Sequence, residues 1–282
     1  MRHAIHLVPA VAGLVVGVLG CSVVVDADRN QCSTDADCAG RGGEFSSSVC
    51  VESLCQPSIS WACLGAPAAP AVSEAQFQVS FLVRDSVTQR PKTGIGVRLC
   101  RKLDVECSDA LSSLVAVDDQ GNATFQVAAG FEGYARFEGA DVLPGMYFFN
   151  PPVAGDTLNI PITLSSPNTA AALAALTGAT LESGRGIVLL SVVDCTGSPA
   201  SGIALSSSIE DGRAKTFYAQ QGFPSAMATM TDVSGYGGVV NANPGTTTFS
   251  AILAESGQKL NEMTVLVQPG TQTMTTLVPN GS

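Results

Sequence analysis

The chain has 282 residues with 29 glycines and 15 prolines, and 24 acidic against 14 basic residues give it a formal net charge of -10. With 45% hydrophobic and only 13% charged residues, the composition excludes a disordered tail, and the length is sufficient for two domains with buried cores. The acidic balance argues against a nucleic-acid partner, because phosphate binding needs a basic surface.

The N-terminal segment has the layout of a signal peptide, which we assign to residues 1–20. Its apolar run is shorter than the roughly 20 residues needed to span a bilayer. The ending Val-Leu-Gly before Cys21 resembles a bacterial lipobox, which implies lipidation of Cys21 and a lipidated tether over residues 21–31. The alternative is an ordinary signal peptide followed by a coincidental cysteine. Ser22 follows this cysteine, and in lipoproteins that are sorted by this position a non-acidic residue resembles the outer-membrane signal.

Histidine usage limits the chemistry of the exported protein. The two histidines, His3 and His6, both lie in the predicted leader. Without them the chain has no imidazole, which removes Ser/His/Asp catalysis, Cys/His catalysis and His-ligated metal sites. We therefore predict no catalytic residue, no metal and no cofactor.

Eight cysteines remain after Cys21, an even number that favours disulfides in an exported chain. Five of them crowd a Ser-, Gly- and Asp-rich module at residues 32–63, which lacks a C-x-x-C pair for zinc. These five are Cys32, Cys38, Cys50, Cys55 and Cys63. A Pro- and Ala-rich linker is predicted for residues 64–75.

The pairing of the cysteines is restricted by parity. Cys100 and Cys107 flank a short loop and can bond to each other. Because five cysteines cannot pair among themselves, the isolated Cys195 is predicted to bond to one of the five, and we favour Cys63. Such a bond would close a loop of about 130 residues, which the loop-entropy estimate values at roughly 4 to 5 kcal/mol.

Strand signals dominate the remainder of the chain. In a first β-sandwich at residues 76–164, apolar Phe77, Val79, Phe81 and Val83 recur with period two. In a second at residues 185–282, Ile187–Val193 is apolar on both faces and predicts a central strand. A helical connector over residues 165–184 contains one short Ala/Leu helix at Thr169–Thr177, with Asn168 as its start and Gly178 as its end.

The two halves repeat the same turn residues in the same order. Asp85 and Asp194 each precede a Pro-x-x-Gly segment, and an Asp-x-x-Gly segment follows. Proline fixes φ, glycine permits positive φ, and the Asp oxygen accepts backbone N–H groups, so both segments predict tight turns. The predicted turn residues are Pro91, Gly94, Asp118 and Gly121 in the first half and Pro199, Gly202, Asp232 and Gly235 in the second.

On these turns and strands, the halves resemble carboxypeptidase regulatory-like domains, which are prealbumin-like sandwiches of seven antiparallel strands. Together with the lipobox and the Cys-rich module, the whole chain resembles myxobacterial-type surface lipoproteins. This resemblance implies two tandem sandwiches in a cell-envelope protein of the outer membrane, facing the periplasm or the outside. It implies a rigid spacer or binding module without catalytic residues.

Three functions are compatible with the sequence to different degrees. The first is a non-catalytic, lipid-anchored envelope protein that acts as a spacer or a platform for another envelope protein. The second is a binder of glycans or peptides, for which Trp61 is an aromatic candidate, although it can equally pack against a disulfide. The third is an enzyme using paired carboxylates such as Asp118 and Asp119 or Glu210 and Asp211, but adjacent residues on a strand point to opposite faces.

Overall fold

The computed structural model describes residues 31–41, 48–51, 53–57, 59–65, 74–209 and 211–279. The chain forms two compact units, one ending at Gln56 and the other beginning at Pro57. As the sequence predicts, it is mainly β, and the described residues contain two short helices.

The smaller unit is a helix and a hairpin stapled by two disulfides. Helix α1 (Asp35–Ala39) precedes strands β1 (Ser48–Val51) and β2 (Leu54–Pro57), which pair with each other. The disulfides are Cys32–Cys50 and Cys38–Cys55.

Helix α1 was not predicted from the sequence. Its start is fixed by Asp37, whose Oδ2 accepts hydrogen bonds from the backbone N–H groups of Ser33 and Thr34, both at 2.8 Å. A helix of 5 residues is too short to show the 3.6-residue periodicity on which sequence assignment depends.

The larger unit forms fifteen strands within its described residues, together with helix α2 (Pro167–Leu176). The strands are β3 (Gln76–Asp85), β4 (Gly96–Arg101), β5 (Val115–Ala116), β6 (Asn122–Ala128), β7 (Gly133–Glu138), β8 (Gly145–Phe148), β9 (Thr157–Leu164), β10 (Gly186–Val192), β11 (Ile203–Ser207), β12 (Lys215–Gln220), β13 (Phe223–Ser225), β14 (Tyr236–Ala242), β15 (Gly245–Leu253), β16 (Lys259–Val267) and β17 (Gln272–Leu277).

One sheet of nine strands runs through both halves of this unit, in the order β13-β12-β14-β10-β17-β8-β7-β4-β5. The halves meet where β17 pairs in parallel with β8, with Gln272 opposite Gly145 and Thr275 opposite Phe148. Two sheets of three strands, β6-β3-β9 and β11-β15-β16, complete the sandwiches. The two sandwiches are thus joined edge to edge by a continuous sheet.

The two smaller sheets cover opposite faces of the large one. Successive residues on a strand point to opposite faces, and on β8 Tyr147 packs against the first core, whereas Met146 and Phe148 belong to the second. On β17, Met274 belongs to the first core and Leu277 to the second. Strands β8 and β17 therefore contribute to both cores, which couples the packing of the two sandwiches.

The first core is centred on Phe81, which is fully buried. Its ring meets those of Phe137, Phe149 and Phe125 edge-on at centroid distances of 5.3, 6.0 and 6.1 Å. Edge-to-face contacts of this kind are favoured by the aromatic quadrupole. The period-two strand predicted around Phe81 is confirmed as β3, and the central strand predicted in the second half is β10, between β14 and β17.

Helix α2 covers the face of β10, β12 and β14 that lies opposite the second core. Its Ala170 packs with Ile187, Phe217 and Val240. The predicted cap at Asn168 is wrong: the cap is Ser166, whose Oγ accepts the backbone N–H of Thr169 at 3.1 Å. The helix begins earlier because Pro167 occupies its first turn, where a missing N–H has no cost.

The strand order of the first half recurs in the second with one addition. In each half a strand (β3 or β10) pairs antiparallel with one neighbour (β6 or β14) and in parallel with another (β9 or β17). The first half has seven strands, whereas the described part of the second half has eight. The hairpin β12-β13 replaces the two-residue strand β5 and extends the sheet.

Candidate functional site

The Asp-x-x-Gly turns of the two halves have the same hydrogen bonds. Gly121 has φ +87° and donates to the carbonyl of Asp118 at 3.0 Å, and Gly235 has φ +66° and donates to the carbonyl of Asp232 at 2.9 Å. A Cβ added to Gly121 would lie 2.6 Å from the carbonyl oxygen of Val83, and the corresponding distance at Gly235 is 2.4 Å. Both positions therefore require glycine for conformation and for space.

The Pro-x-x-Gly segments are equivalent as well. Pro91 forms an isolated bridge with Arg84, and Pro199 forms one with Val193. The glycines that end the two segments, Gly94 and Gly202, have φ values of +71° and +75° with open space around the position of a Cβ. These turns require positive φ but leave room for neighbouring segments.

The acidic residues before these turns differ in what they bind. Asp85 Oδ1 accepts the backbone N–H groups of Val87 and Thr88, and its Oδ2 lies 3.9 Å from Lys92 Nζ. Asp194 Oδ1 accepts the equivalent N–H of Thr196 at 2.8 Å, but its Oδ2 accepts the N–H of Ser60 at 2.7 Å. One carboxylate oxygen builds the turn in both halves, and the other is free for a second partner.

In the second half that partner is the segment Ile59–Gly65. Ser60 donates to Asp194 and accepts the N–H of Cys195 at 2.9 Å, and Cys195 is disulfide-bonded to Cys63. Asp194 is only 1% exposed. Burial alone would raise the pKa of Asp194, but the hydrogen bonds from Ser60, Thr196 and Ser198 outweigh it and lower the pKa below its ordinary value. Parity predicts a bond from Cys195 to one of the five N-terminal cysteines, and the structure confirms the favoured partner, Cys63.

The remaining cysteines of the larger unit bond to each other. Cys100 and Cys107 form a disulfide that closes the loop after β4. The same loop is held by Tyr134, whose hydroxyl donates to the carbonyl of Asp104 at 2.5 Å. In the smaller unit the sulfurs of Cys32, Cys38 and Cys55 lie within 4.8 Å of one another, but all three are in disulfides.

A cleft of about 540 Å³ opens beside this clamped segment. Its apolar wall consists of Trp61, Ile59, Met230 and Leu253, and its polar and small lining residues are Ser201, Gly202, Ala254 and Glu255. Trp61 is the only tryptophan of the chain and is partly buried against the second core. A concave, mostly apolar site with a few polar groups is the usual form of a ligand-binding cleft.

Exposed apolar side chains occur in the strand and the loop that lead to the cleft residue Met230. Met227 is 91% exposed, Phe223 is 74% exposed and Met230 is 44% exposed. The hairpin β12-β13 is held to this segment by Gln220, whose Nε2 donates to the carbonyl of Met230 at 3.2 Å. Of these three side chains, Met230 lines the cleft.

A second, smaller cavity of about 270 Å³ lies beside Arg185 and Glu182. Arg185 is largely buried and donates to Asp211 Oδ2 at 2.7 Å and to the carbonyl of Asn241 at 2.9 Å. The Arg185 side chain, together with N–H groups of Arg213 and Ala214, lowers the pKa of Asp211 from 3.8 to about 2. With its charged groups paired with one another, this cluster ties the connector to the second sandwich.

Two of the four candidate catalytic carboxylates, Asp118 and Asp211, have structural partners. Asp118 accepts the N–H groups of Gln120 and Asn122 at 2.9 and 2.7 Å, and Asp211 is bonded to Arg185. Glu210 and the predicted lipidation site Cys21 lie outside the described residues. Among the described helices, none is long and apolar enough to span a bilayer.

Most of the cleft was not predicted from the sequence. Trp61 and Gly202 were singled out, but Ile59, Met230, Leu253 and Glu255 were not. These residues come from separate segments of the chain that tertiary structure brings together, and no local pattern marks them.

No protein-family model and no curated protein matches the chain. Among solved structures, the minor pilin GBS52 of Streptococcus agalactiae is 14% identical, with a TM-score of 0.25 over 72% of this chain and 95% of that one. The shaft pilin SpaA of Lactobacillus rhamnosus GG is 12% identical, with a TM-score of 0.24 over 74% of this chain and 99% of that one. Overlaps of this size leave the function to be argued from the residues of the chain itself.

Proposed function

We propose that the protein is a non-catalytic, lipid-anchored component of the bacterial cell envelope, in which the two sandwiches act as a rigid spacer or as a platform for another envelope protein. The observation that supports it is the parallel pairing of β17 with β8. A spacer must keep a fixed geometry between its parts, and a continuous sheet restrains two sandwiches more strongly than a connector alone.

The remaining support comes from side chains that serve both sandwiches at once. Met274 packs in the first core, and Thr275 on the next position of β17 donates through Oγ1 to the carbonyl of Phe148 at 3.0 Å. Both residues are buried. Separating the sandwiches would expose them, so bending between the halves is opposed by both packing and hydrogen bonding.

Hydrogen exchange measures whether the two sandwiches separate. We expect the backbone amides of β8 and β17 to exchange only on global unfolding, as amides of a core sheet do. Faster exchange of both strands than of β3 and β10 would show that the halves separate in the folded state and would overturn the spacer function.

The lipid anchor is tested at Cys21. Labelled fatty acid should enter the wild-type protein and not Cys21→Ala, and the variant should be released as a folded soluble protein, since the cysteine acts only on the tether. Equal labelling of both proteins would remove the anchor from the proposal. If only the wild type is labelled, crosslinking on intact cells with the wild type and with Cys21→Ala identifies the partners that depend on the anchor.

A second candidate function is ligand binding at the cleft beside Trp61, the peptide or glycan recognition that the sequence left open. One observation favours it: an apolar cleft of about 540 Å³ lies beside the segment Ile59–Gly65, and Met230 in its wall is 44% exposed. A platform function and a binding function at this cleft are compatible.

A further inference from the structure

We propose that the cleft beside Trp61 binds an extended peptide segment of a partner protein that places a large apolar side chain in the cleft and a Lys or Arg side chain beside it. This inference rests on the second candidate function above and specifies its ligand.

The apolar part of the ligand is defined by the wall of the cleft. Trp61, Ile59, Met230 and Leu253 form a continuous apolar lining, and the volume of about 540 Å³ falls within the roughly 300 to 1,000 Å³ of typical ligand sites. Methionine adapts its shape to different partners because its side chain is unbranched and polarizable. The cleft therefore favours a bulky aliphatic or aromatic side chain over a small polar one.

The charged part is defined by the absence of basic residues from the segments that build the cleft. The sequence contains no Lys or Arg from residue 186 to residue 212 or from residue 216 to residue 258, and none from residue 57 to residue 65. Glu255 lines the cleft and has no salt-bridge partner among the described residues. Its charge is free to attract a cation, whereas an anionic ligand would meet repulsion only.

The ligand approaches through side chains and not as an added strand. Strand β13 is the edge of the large sheet and belongs to the hairpin that Gln220 bonds to Met230. The hairpin turn, Gln221 and Gly222, has two positive φ values of 52° and 85°. In a two-residue hairpin the next pair inward, Ala219 with Pro224, is not hydrogen-bonded, so its backbone groups face the open edge. Pro224 has no N–H to offer there, which blocks strand addition.

The wall of the cleft is held in place before a ligand binds. The wall residues Ile59 and Trp61 flank Ser60, which exchanges hydrogen bonds with Asp194 and Cys195, and the Cys63–Cys195 disulfide holds the same segment covalently. A preorganised wall lowers the entropy that the protein loses on binding.

Trp61 provides a site-specific reporter, since its fluorescence is the only indole emission of the protein. The oxidised full-length protein is titrated with three probes: a capped hexapeptide with a Leu-Lys centre, the same peptide with a Leu-Glu centre, and tri-N-acetylglucosamine. We expect a saturable change of emission with the Leu-Lys peptide, and binding weakened roughly three- to fivefold by the Leu-Glu replacement and by Glu255→Gln, as for one exposed ion pair.

The matched control is Glu106→Gln, which removes an exposed carboxylate of the first half and should leave the affinity unchanged. Thermal melts of both variants show that they are folded. Equal affinity for the two peptides, or no effect of Glu255→Gln, would overturn the cationic ligand while leaving the binding function intact. A response to the saccharide alone would make the cleft a glycan site. No response to any probe would overturn both the inference and the second candidate function.

Discussion

The two halves of the larger unit contain the same aspartate turn, but the aspartate carboxylate has a different second partner in each half. Asp85 and Asp194 each fix a turn with Oδ1, but the free oxygen of Asp85 faces Lys92 at the surface, and that of Asp194 holds Ser60 in a buried site. The residue that follows is Ser86 in the first half and Cys195 in the second. In the second half the repeated turn is therefore an attachment point, because the second carboxylate oxygen of Asp194 binds Ser60 and the next residue, Cys195, is bonded to Cys63.

The edges of the two halves differ in the same way. Strands β8 and β17 pair with each other, whereas the equivalent strands β16 and β9 have no further strand partner within the described residues. The free edges carry groups that discourage pairing. These are Lys259 and Glu262 on β16, and on β9 Pro161, two residues after Asn159 with φ +59°. The two sandwiches are therefore joined at β8 and β17, whose edges can pair, and not at β9 or β16.

The largest expected effect comes from removing the attachment that only the second half has. The double variant Cys63→Ala, Cys195→Ala should lose about 4 to 5 kcal/mol of unfolding free energy, because the bond closes a loop of more than a hundred residues. Denaturant unfolding at pH 7 measures it. The matched control, Cys100→Ala with Cys107→Ala, opens a short loop and should cost about 2 to 3 kcal/mol. Equal losses would contradict the loop-entropy explanation.

The buried carboxylate should matter more than its surface equivalent. Asp194→Asn removes a charged acceptor of four hydrogen bonds from a buried site and should destabilise the protein by about 1.5 to 3 kcal/mol. Asp85→Asn, at a partly exposed site, should cost less than about 1 kcal/mol. The two variants are compared by thermal melting. A larger loss of stability for Asp85→Asn would contradict the proposed difference between the two aspartate turns.

The equivalence of the hairpins is tested by glycine. Gly121→Val and Gly235→Val should each lose about 1 to 3 kcal/mol, because both combine positive φ with a blocked Cβ position. Gly178→Val is the control, since Gly178 has φ +74° but open space around it, and its loss should be smaller. A loss at only one of the two hairpins, measured by denaturant unfolding, would break the equivalence.

The smallest effect concerns pH and a contact of the second half alone. Since Arg185 lowers the pKa of Asp211 from 3.8 to about 2, the ionised carboxylate stabilises the folded state above pH 3.8, and this contribution is lost as the pH falls towards 2. The wild type should therefore lose more stability over this interval than Asp211→Asn. Parallel acid unfolding curves for the two proteins would contradict the pair.

Local features of the molecule could be predicted from the sequence, and long-range ones largely could not. The strand around Phe81 and the turns at Gly121 and Gly235 depend on period two and on backbone conformation, which neighbouring residues encode. The cap of α2 was assigned to Asn168 instead of Ser166, because two polar residues flank Pro167 and either can accept hydrogen bonds.

The pairing of β8 with β17 has no signature in either strand. Gly145 and Gln272 meet only through tertiary packing. Both strands consist of glycine, apolar, threonine and glutamine residues that are common in any strand, so their sequences do not indicate which strand each one pairs with. The cleft beside Trp61 was missed for the same reason. The Cys63–Cys195 bond is an exception, because parity is a count over the whole chain and does not depend on local sequence.

The Cys63–Cys195 bond also determines which parts of the chain would bear tension. A pull applied at an N-terminal anchor travels along the backbone to Cys63 and crosses directly to Cys195. The 131 residues between them, which include the whole first sandwich, lie in a loop parallel to this path. Force between the anchor and a partner held by the second sandwich would bypass the first, which stays unloaded while the disulfide is intact. Reduction would place the first sandwich in series.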